Sequence, residues 1–290
     1  MQEGLIEFIN QPRQSRLAAT LQPLHFILDP ALYPDLIKEL TARQVYAFDF
    51  LLIDTDFASL ANTGPIWLST HADSAIAEWC MHLCQHHHAG IVIVASDSEQ
   101  ALKHARWLLK VNDGSGGQSW LTYYQPALCA ALFGTTQPSS INLLLGPWSA
   151  VYAPSPRHIQ GLSPGWLSWQ TDHPAQAPTT PLFNLPPCTE PTYVTLRWVY
   201  WLDQQHAAFN QPDVEQLAPL IDNLNLLLEH QIYESTHLLQ LADLMVRTDL
   251  ATQPAAMTIL RGADPAFAKV EHLQALMGMP DSRKKHSSWN

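Results

Sequence analysis

Six residues in one short stretch are of the types that do metal or thiol chemistry: Cys80, His82, Cys84, His86, His87 and His88. A zinc site needs about four such ligands converging on one point. On a helix, at about 100° per residue, His82 points roughly 200° away from Cys80. Cys80 and Cys84 instead share a face with Ile76, Trp79 and Leu83, where cysteine behaves as a small hydrophobe. The spacing predicts structural cysteines, histidines at a polar edge, and no metal site. Asp54 and Asp56 have i, i+2 spacing, which on a continuing strand would put both carboxylates on one face. They follow an apolar run, so the expectation is a solvated strand end. Ser96 lacks a Gly-x-Ser-x-Gly elbow; in Ser96-Asp97-Ser98-Glu99 it fits a capping box. Gly114-Ser115-Gly116-Gly117 has no following Lys-Ser or Lys-Thr, so it is no phosphate loop. No catalytic residue, cofactor or metal ligand is assigned, and an enzyme is not expected.

The elements that would position these groups alternate. Leu24–Leu28 reads as a strand, and Asp29-Pro30 as the cap of a helix carrying Leu32, Leu36, Ile37 and Leu40, its first turn deformed by Pro34. Val45–Ile53 is a second apolar run, and Gly64-Pro65 breaks the chain before Ile66-Trp67-Leu68. A helix follows over Ala72–His88, ended by Gly90, then a β-branched strand over Ile91–Ala95. The capped helix after Ser96 places Leu102, Ala105 and Leu109 on one side. The stretch Leu121–Trp148 reads as strand, helix, strand: Trp120, Tyr123 and Tyr124 suit a pleated surface. Pro126 suits a first helical position, and Gly134 a left-handed end. Ile141–Leu145 reads as a buried strand stopped by Gly146-Pro147. Beyond Thr192 the period is helical, with Leu217, Ile221, Leu224 and Leu228 on one face and Pro219 marking a helix start.

The fold class expected is an α+β (α/β-like) N-terminal lobe, with a mixed sheet flanked by helices, a Pro-rich linker and a small all-helical C-terminal lobe. The boundaries are a 1–23 extension, a 24–173 α/β domain, a 174–191 linker, a 192–278 helical lobe and a 279–290 disordered basic tail. Formal charge is −11, which disfavours nucleic acid and anionic membrane as partners. The first residues lack the apolar core of a signal peptide, and no run is long enough to span a membrane. Four cysteines make no disulfide framework, so a reducing cytoplasm is expected. Between Arg197 and Arg247 there is no Lys or Arg, yet Asp203, Asp213, Glu215, Asp222, Glu229, Glu234 and Asp243 fall there. Such a segment is either a solvated face or a field that steers a basic partner.

The ordered blocks Leu28-Asp29, Gly64-Pro65-Ile66-Trp67-Leu68, Val94-Ala95-Ser96, Tyr123-Tyr124-x-Pro126 and Leu145-Gly146-Pro147-Trp148 resemble the type VI secretion effector-adaptor (Tap/TEC chaperone) family of bacteria. The resemblance covers about residues 24–150. It implies a non-catalytic cytoplasmic adaptor that binds one toxic effector, through the effector's N-terminal region, and helps load it onto the spike protein VgrG. Trp67, Tyr123, Tyr124 and Trp148 are then the candidate anchors, since Trp and Tyr dominate binding hot spots. Asp222, Glu229 and Glu234 are candidates for the spike or a basic cargo segment. The chain departs from the family where Arg-Phe-Tyr-Asp-Pro is replaced by Thr122-Tyr123-Tyr124-Gln125-Pro126. Gln125 is a poorer helix cap than Asp; if the family's Arg and Asp touch cargo, Thr122 and Gln125 alter cargo preference. The rival expectations are a small metal- or Cys/His-dependent hydrolase using the histidine-rich helix, and a toxin-neutralising immunity-type protein.

Overall fold

A computed structural model describes residues 3–112, 114–178 and 181–277; the basic tail expected over 279–290 lies outside them. Contacts divide the chain into two units, Met1–Arg157 with Leu162–Tyr200, and His158–Gly161 with Trp201–Asn290. The first unit contains α1 (Glu3–Asn10), β1 (Leu24–Leu28), α2 (Leu36–Ala42), β2 (Asp49–Phe50), β3 (Ile66–Thr70), α3 (Ala75–His87) and β4 (Gly90–Val94). After these come α4 (Ser98–Trp107), β5 (Lys110–Asn112), β6 (Gln118–Trp120), α5 (Pro126–Thr135), α6 (Pro138–Leu145), β7 (Ala150–Pro154), β8 (Trp166–Gln170) and β9 (Phe183–Asn184). The division falls inside α7 (Thr189–Gln204). It therefore lies beyond the Pro-rich 174–191 segment, which contributes β9 to the first unit.

β1, β3 and β4 are short apolar runs because both faces of their sheet are covered. Six strands pair antiparallel in the order β2-β3-β1-β4-β7-β8. Side chains alternate across it, as period two demands. Ile27, Trp67, Ile91, Ile93 and Val151 enter one core with residues of α4, α5 and α6. Phe26, Leu28, Ile66, Leu68, Val92 and Tyr152 enter the other with α2 and α3. A smaller sheet has β5 central, antiparallel to β6 and parallel to β9. α5 is buried from Pro126 through Phe133, as expected of a helix that is apolar all round.

Several sequence expectations are corrected. Ile141–Leu145 belongs to α6, a helix: Pro138 occupies its first turn, Leu144 and Leu145 are buried, and Leu143 is 48% exposed. A strand covered on both faces would bury every residue; a short apolar run cannot be told from a helix by pattern alone. Tyr123 and Tyr124 lie in a turn between β6 and α5, where the Gln125 N–H donates to the Thr122 carbonyl at 2.9 Å. Gly134 is not left-handed, and α5 continues to Thr135. His88, at φ 50°, takes the left-handed cap of α3, while Gly90 opens β4. Asp29 accepts from the Ala31 N–H at 2.9 Å, an Asx turn, so α2 starts only after Pro34. Asp97, one residue later than expected, caps α4 by accepting from Gln100 N–H at 3.0 Å. Within Val45–Ile53 only Asp49–Phe50 is strand.

The second unit holds α8 (Val214–Glu229), α9 (Ser235–Gln240), α10 (Ala242–Arg247), α11 (Pro254–Arg261) and α12 (Ala266–Met277). α8 begins with a capping box between Asp213 and Gln216, and Pro219 lies inside it rather than at its start. Leu217, Ile221 and Leu224 are buried at the expected spacing. Buried Asn223 ties α8 to α10 and the chain just beyond it: its amide donates to the Met245 and Thr248 carbonyls at 3.1 and 2.8 Å, and its oxygen accepts from Leu250 N–H at 2.9 Å. The molecule is thus an α+β unit built on a six-stranded antiparallel sheet, followed by a helical region.

Candidate functional site

α3 turns Cys80 and Cys84 into the core and His82 and His86 outward, as helical spacing requires. Burial pushes the Cys80 thiol up to about 12 and Cys84 well above its usual range. Neither is a thiolate at neutral pH, and the thiolate is the form that attacks or ligates. The His82 and His86 rings stack at 3.9 Å, and His87 leans on Tyr33 at 4.7 Å. Among the described residues no group of three or more His, Cys, Asp or Glu could hold a metal ion. Asp54 and Asp56 do not continue a strand: the chain turns at Asp54, with φ 62°. Each carboxylate meets its own cation, Asp54 with Arg106 at 3.2 Å and Asp56 with Lys110 at 2.7 Å.

The four aromatic anchors are core residues, which corrects their assignment as surface contacts. Trp67 is 2% exposed, stacks on His25 at 4.9 Å and donates its indole N–H to Ser69 Oγ at 3.1 Å. Trp148 is fully buried and donates to the Ala101 carbonyl at 3.1 Å. Tyr123 is fully buried and donates to the Ala105 carbonyl at 2.9 Å. Tyr124 is buried near Asp29, and burial raises its phenol pKa. A buried Trp or Tyr seeks a partner for its polar tip, and here α4 supplies two of them. The spaced motif blocks thus meet in space, but inside the fold.

One motif departure has a local reason. Burial raises the Asp29 carboxyl pKa, and hydrogen bonds from Ala31 N–H and the Gln125 side chain oppose that rise. Gln125 makes no side-chain cap bond to α5. Gln125→Asp would therefore trade an amide donor for a second carboxylate beside a buried one. Despite the better cap residue, we expect a loss of about 1 kcal/mol or more at pH 7 that shrinks as pH falls toward 4, read from urea midpoints.

The acidic residues of the second unit have divided roles. Asp203 is buried and accepts from the His158 N–H, and Asp213 caps α8. Asp243 pairs with Arg247 at 2.8 Å, and Glu234 faces His237 at 3.6 Å. Glu215, Asp222 and Glu229 are exposed and spaced by seven along α8, so they share its outward face. Of the acidic candidates, Asp222, Glu229 and Glu234 all lie at the surface.

A site that the residues did not announce lies along α4. A trough of about 550 Å³ has Phe57, Leu102, Trp107 and Leu182 among its apolar lining, with Asp54, Asp56, Arg106 and Lys110 along its charged rim. The Phe57 ring stacks on Trp120 at 5.0 Å, and Trp120 is 41% exposed. α4 buries Ala101, His104 and Ala105 inward; Leu102, half-buried, packs against the core that holds Ala105 and Leu109, as expected, and also lines the trough. The available signal was that the 99, 102, 103 and 106 positions of a capped helix mix apolar and charged residues of both signs.

Among the described residues no helix is long and apolar enough to cross a membrane. No curated protein and no solved structure matches the chain. Residues 24–142, which hold the trough's Phe57 and the α4 wall, match the family model described as a domain of unknown function (DUF4123).

Proposed function

We propose that this chain is a non-catalytic adaptor that binds a type VI secretion effector and helps load it onto the VgrG spike. The observation that carries this reading is the trough on α4. It is an apolar hollow with aromatic and arginine residues at its margin, the types enriched at binding hot spots. It lies largely within the matched stretch 24–142. That stretch coincides with the one whose motif blocks resemble the adaptor family. The residues with the types for chemistry point the same way: the α3 thiols are buried and neutral, and the Asp54 and Asp56 carboxylates are ion-paired. The outward acids of α8 are the surface we assign to a basic segment of the spike or cargo, through steering that weakens with salt.

The test is co-expression of the full chain with a type VI toxin and a VgrG spike protein, chosen from the genes that neighbour its own if such genes are found there. We expect the chain to hold the toxin through affinity purification and gel filtration, and to raise the amount of toxin recovered with the spike. Capture of neither, or toxin neutralisation by the chain in cells lacking the secretion machinery, would replace the adaptor reading with one of its rivals.

A further inference from the structure

We propose that the free edge of β8 takes an extended segment of a partner polypeptide as one more strand of the six-stranded sheet. In an antiparallel pair, successive residues turn their N–H and C=O groups alternately toward the neighbouring strand and away from it. The register of β8 fixes which groups do which. Ser155 N–H donates to the Gly165 carbonyl and Thr171 N–H to the Ser149 carbonyl, both at 2.9 Å. Odd-numbered residues along β8 therefore bond to β7, and even-numbered ones point outward. Trp166 follows the rule: its carbonyl accepts from Gln14 N–H at 2.9 Å, and its N–H donates to the Gln14 carbonyl at 2.8 Å. Ser168, half-buried, and Gln170, exposed, come next on that edge. Among the described residues, their backbone N–H and C=O groups meet no hydrogen-bonding partner.

These groups define the chemistry of the occupant. Donors and acceptors that recur every second residue, about 7 Å apart, are matched by the backbone of another strand. Gln14 begins that ladder in the antiparallel sense and makes a single rung. The register would bring Pro12 opposite Ser168, and proline has no N–H to give. The far edge of the sheet offers no equivalent, because β2 is only two residues long. A second copy of the chain is the poorer occupant, since two molecules of charge −11 repel each other. A partner residue opposite Trp169 would place its side chain on the same face, close to the indole. Trp169 packs on Phe133 at 5.1 Å and lines a hollow of about 380 Å³ with Phe8, Phe133 and Leu196. The fitting segment carries a branched or aromatic side chain at that position, and hydrogen-bonding backbone on either side of it.

Only the owner of the segment, a type VI effector, rests on the adaptor reading. The test uses the full chain and a labelled, end-capped peptide of alternating Thr and Val, read by fluorescence anisotropy. With Val opposite Trp169, the Thr nitrogens face Ser168 and Gln170. N-methylation of the Thr residues should weaken binding at least about tenfold, and N-methylation of the Val residues should change little. Ser168→Pro removes an outward N–H that β7 does not use and should also cost about tenfold. Ser168→Ala keeps that N–H and should bind as the wild type does. Amide exchange gives the location: bound peptide should slow the Ser168 and Gln170 amides and leave those of Leu167 and Trp169 unchanged. No binding at millimolar peptide, equal binding of the two methylated forms, or protection elsewhere overturns the proposal. So does a dimer of the free chain that Ser168→Pro dissolves, which would give the edge to a second copy. The contrast between methylated peptides stands even where the proline variant does not fold. Co-expressed toxin separates the two readings. Toxin captured equally by folded Ser168→Pro protein removes the edge as the effector's site and spares the adaptor; peptide bound at β8 with no toxin captured does the reverse.

Discussion

Replacing Gly90 with alanine is expected to destabilise the first unit by at least about 3 kcal/mol, or to prevent its folding. A Cβ at position 90 would lie 1.9 Å from the Ile27 carbonyl oxygen and 2.9 Å from its carbon. These are backbone atoms of β1, a strand paired on both sides, so no side chain can rotate to make room. Gly90 pairs with Leu28 in the β1–β4 register, and displacing it would shift Ile91, Val92 and Ile93, all fully buried. Its φ is not left-handed; the glycine is required for space, as glycines within strands often are. Gly134 in α5 is the control. Nothing lies within 4 Å of a Cβ there, so Gly134→Ala should be neutral or stabilising by up to about 1 kcal/mol. Urea unfolding of both variants reads the contrast; a wild-type midpoint for Gly90→Ala would mean that β1 and β4 do not pack this closely.

Acid should weaken the same unit through His104. Its ring is fully buried, stacked on Trp107 at 5.1 Å and edge-on to Trp148 at 4.5 Å. Nε2–H donates to the Leu144 carbonyl at 2.8 Å, while a Cβ on Gly146 would come within 2.6 Å of the ring. Burial lowers its pKa to about 4, against about 6.5 in an unfolded chain. A base whose folded pKa is depressed contributes its full stability above the unfolded value and loses it as pH falls toward the folded one. Between pH 7.5 and pH 5 the loss is about 2 kcal/mol from this group. His25, also lowered by burial, adds in the same direction, and Asp29, raised by burial, opposes both. His104→Gln retains an N–H donor and cannot ionise, so its urea midpoint should fall by less over that range. Equal falls in the two proteins would show that His104 is not the titrating group.

Much of the fold is written in local pattern. The β-branched run at Ile91–Val94, the apolar strand at Leu24–Leu28, the helical spacing of Ile76, Cys80, Leu83 and Cys84, and Pro126 at the start of α5 each report an element through its own hydrogen-bonding period. The chemistry of the histidine-rich helix was legible for the same reason, because side-chain direction on a helix follows from residue number alone. The weak cap at Gln125 was legible too, although its tie to Asp29 was not.

The tertiary structure decided which faces are covered, and that reversed the choice of contact residues. Trp67, Tyr123, Tyr124 and Trp148 have the composition of a binding surface, yet their faces or polar tips meet His25, Ala105, Asp29 and Ala101, brought there from elsewhere in the chain. Asp54 and Asp56 find Arg106 and Lys110 more than fifty residues away, a pairing that no local period encodes. Sequence periodicity fixes how a segment hydrogen-bonds to itself or alternates its side chains. Whether an aromatic residue faces another element or a partner depends on what distant segments leave uncovered, and only the assembled sheet and α4 settle that.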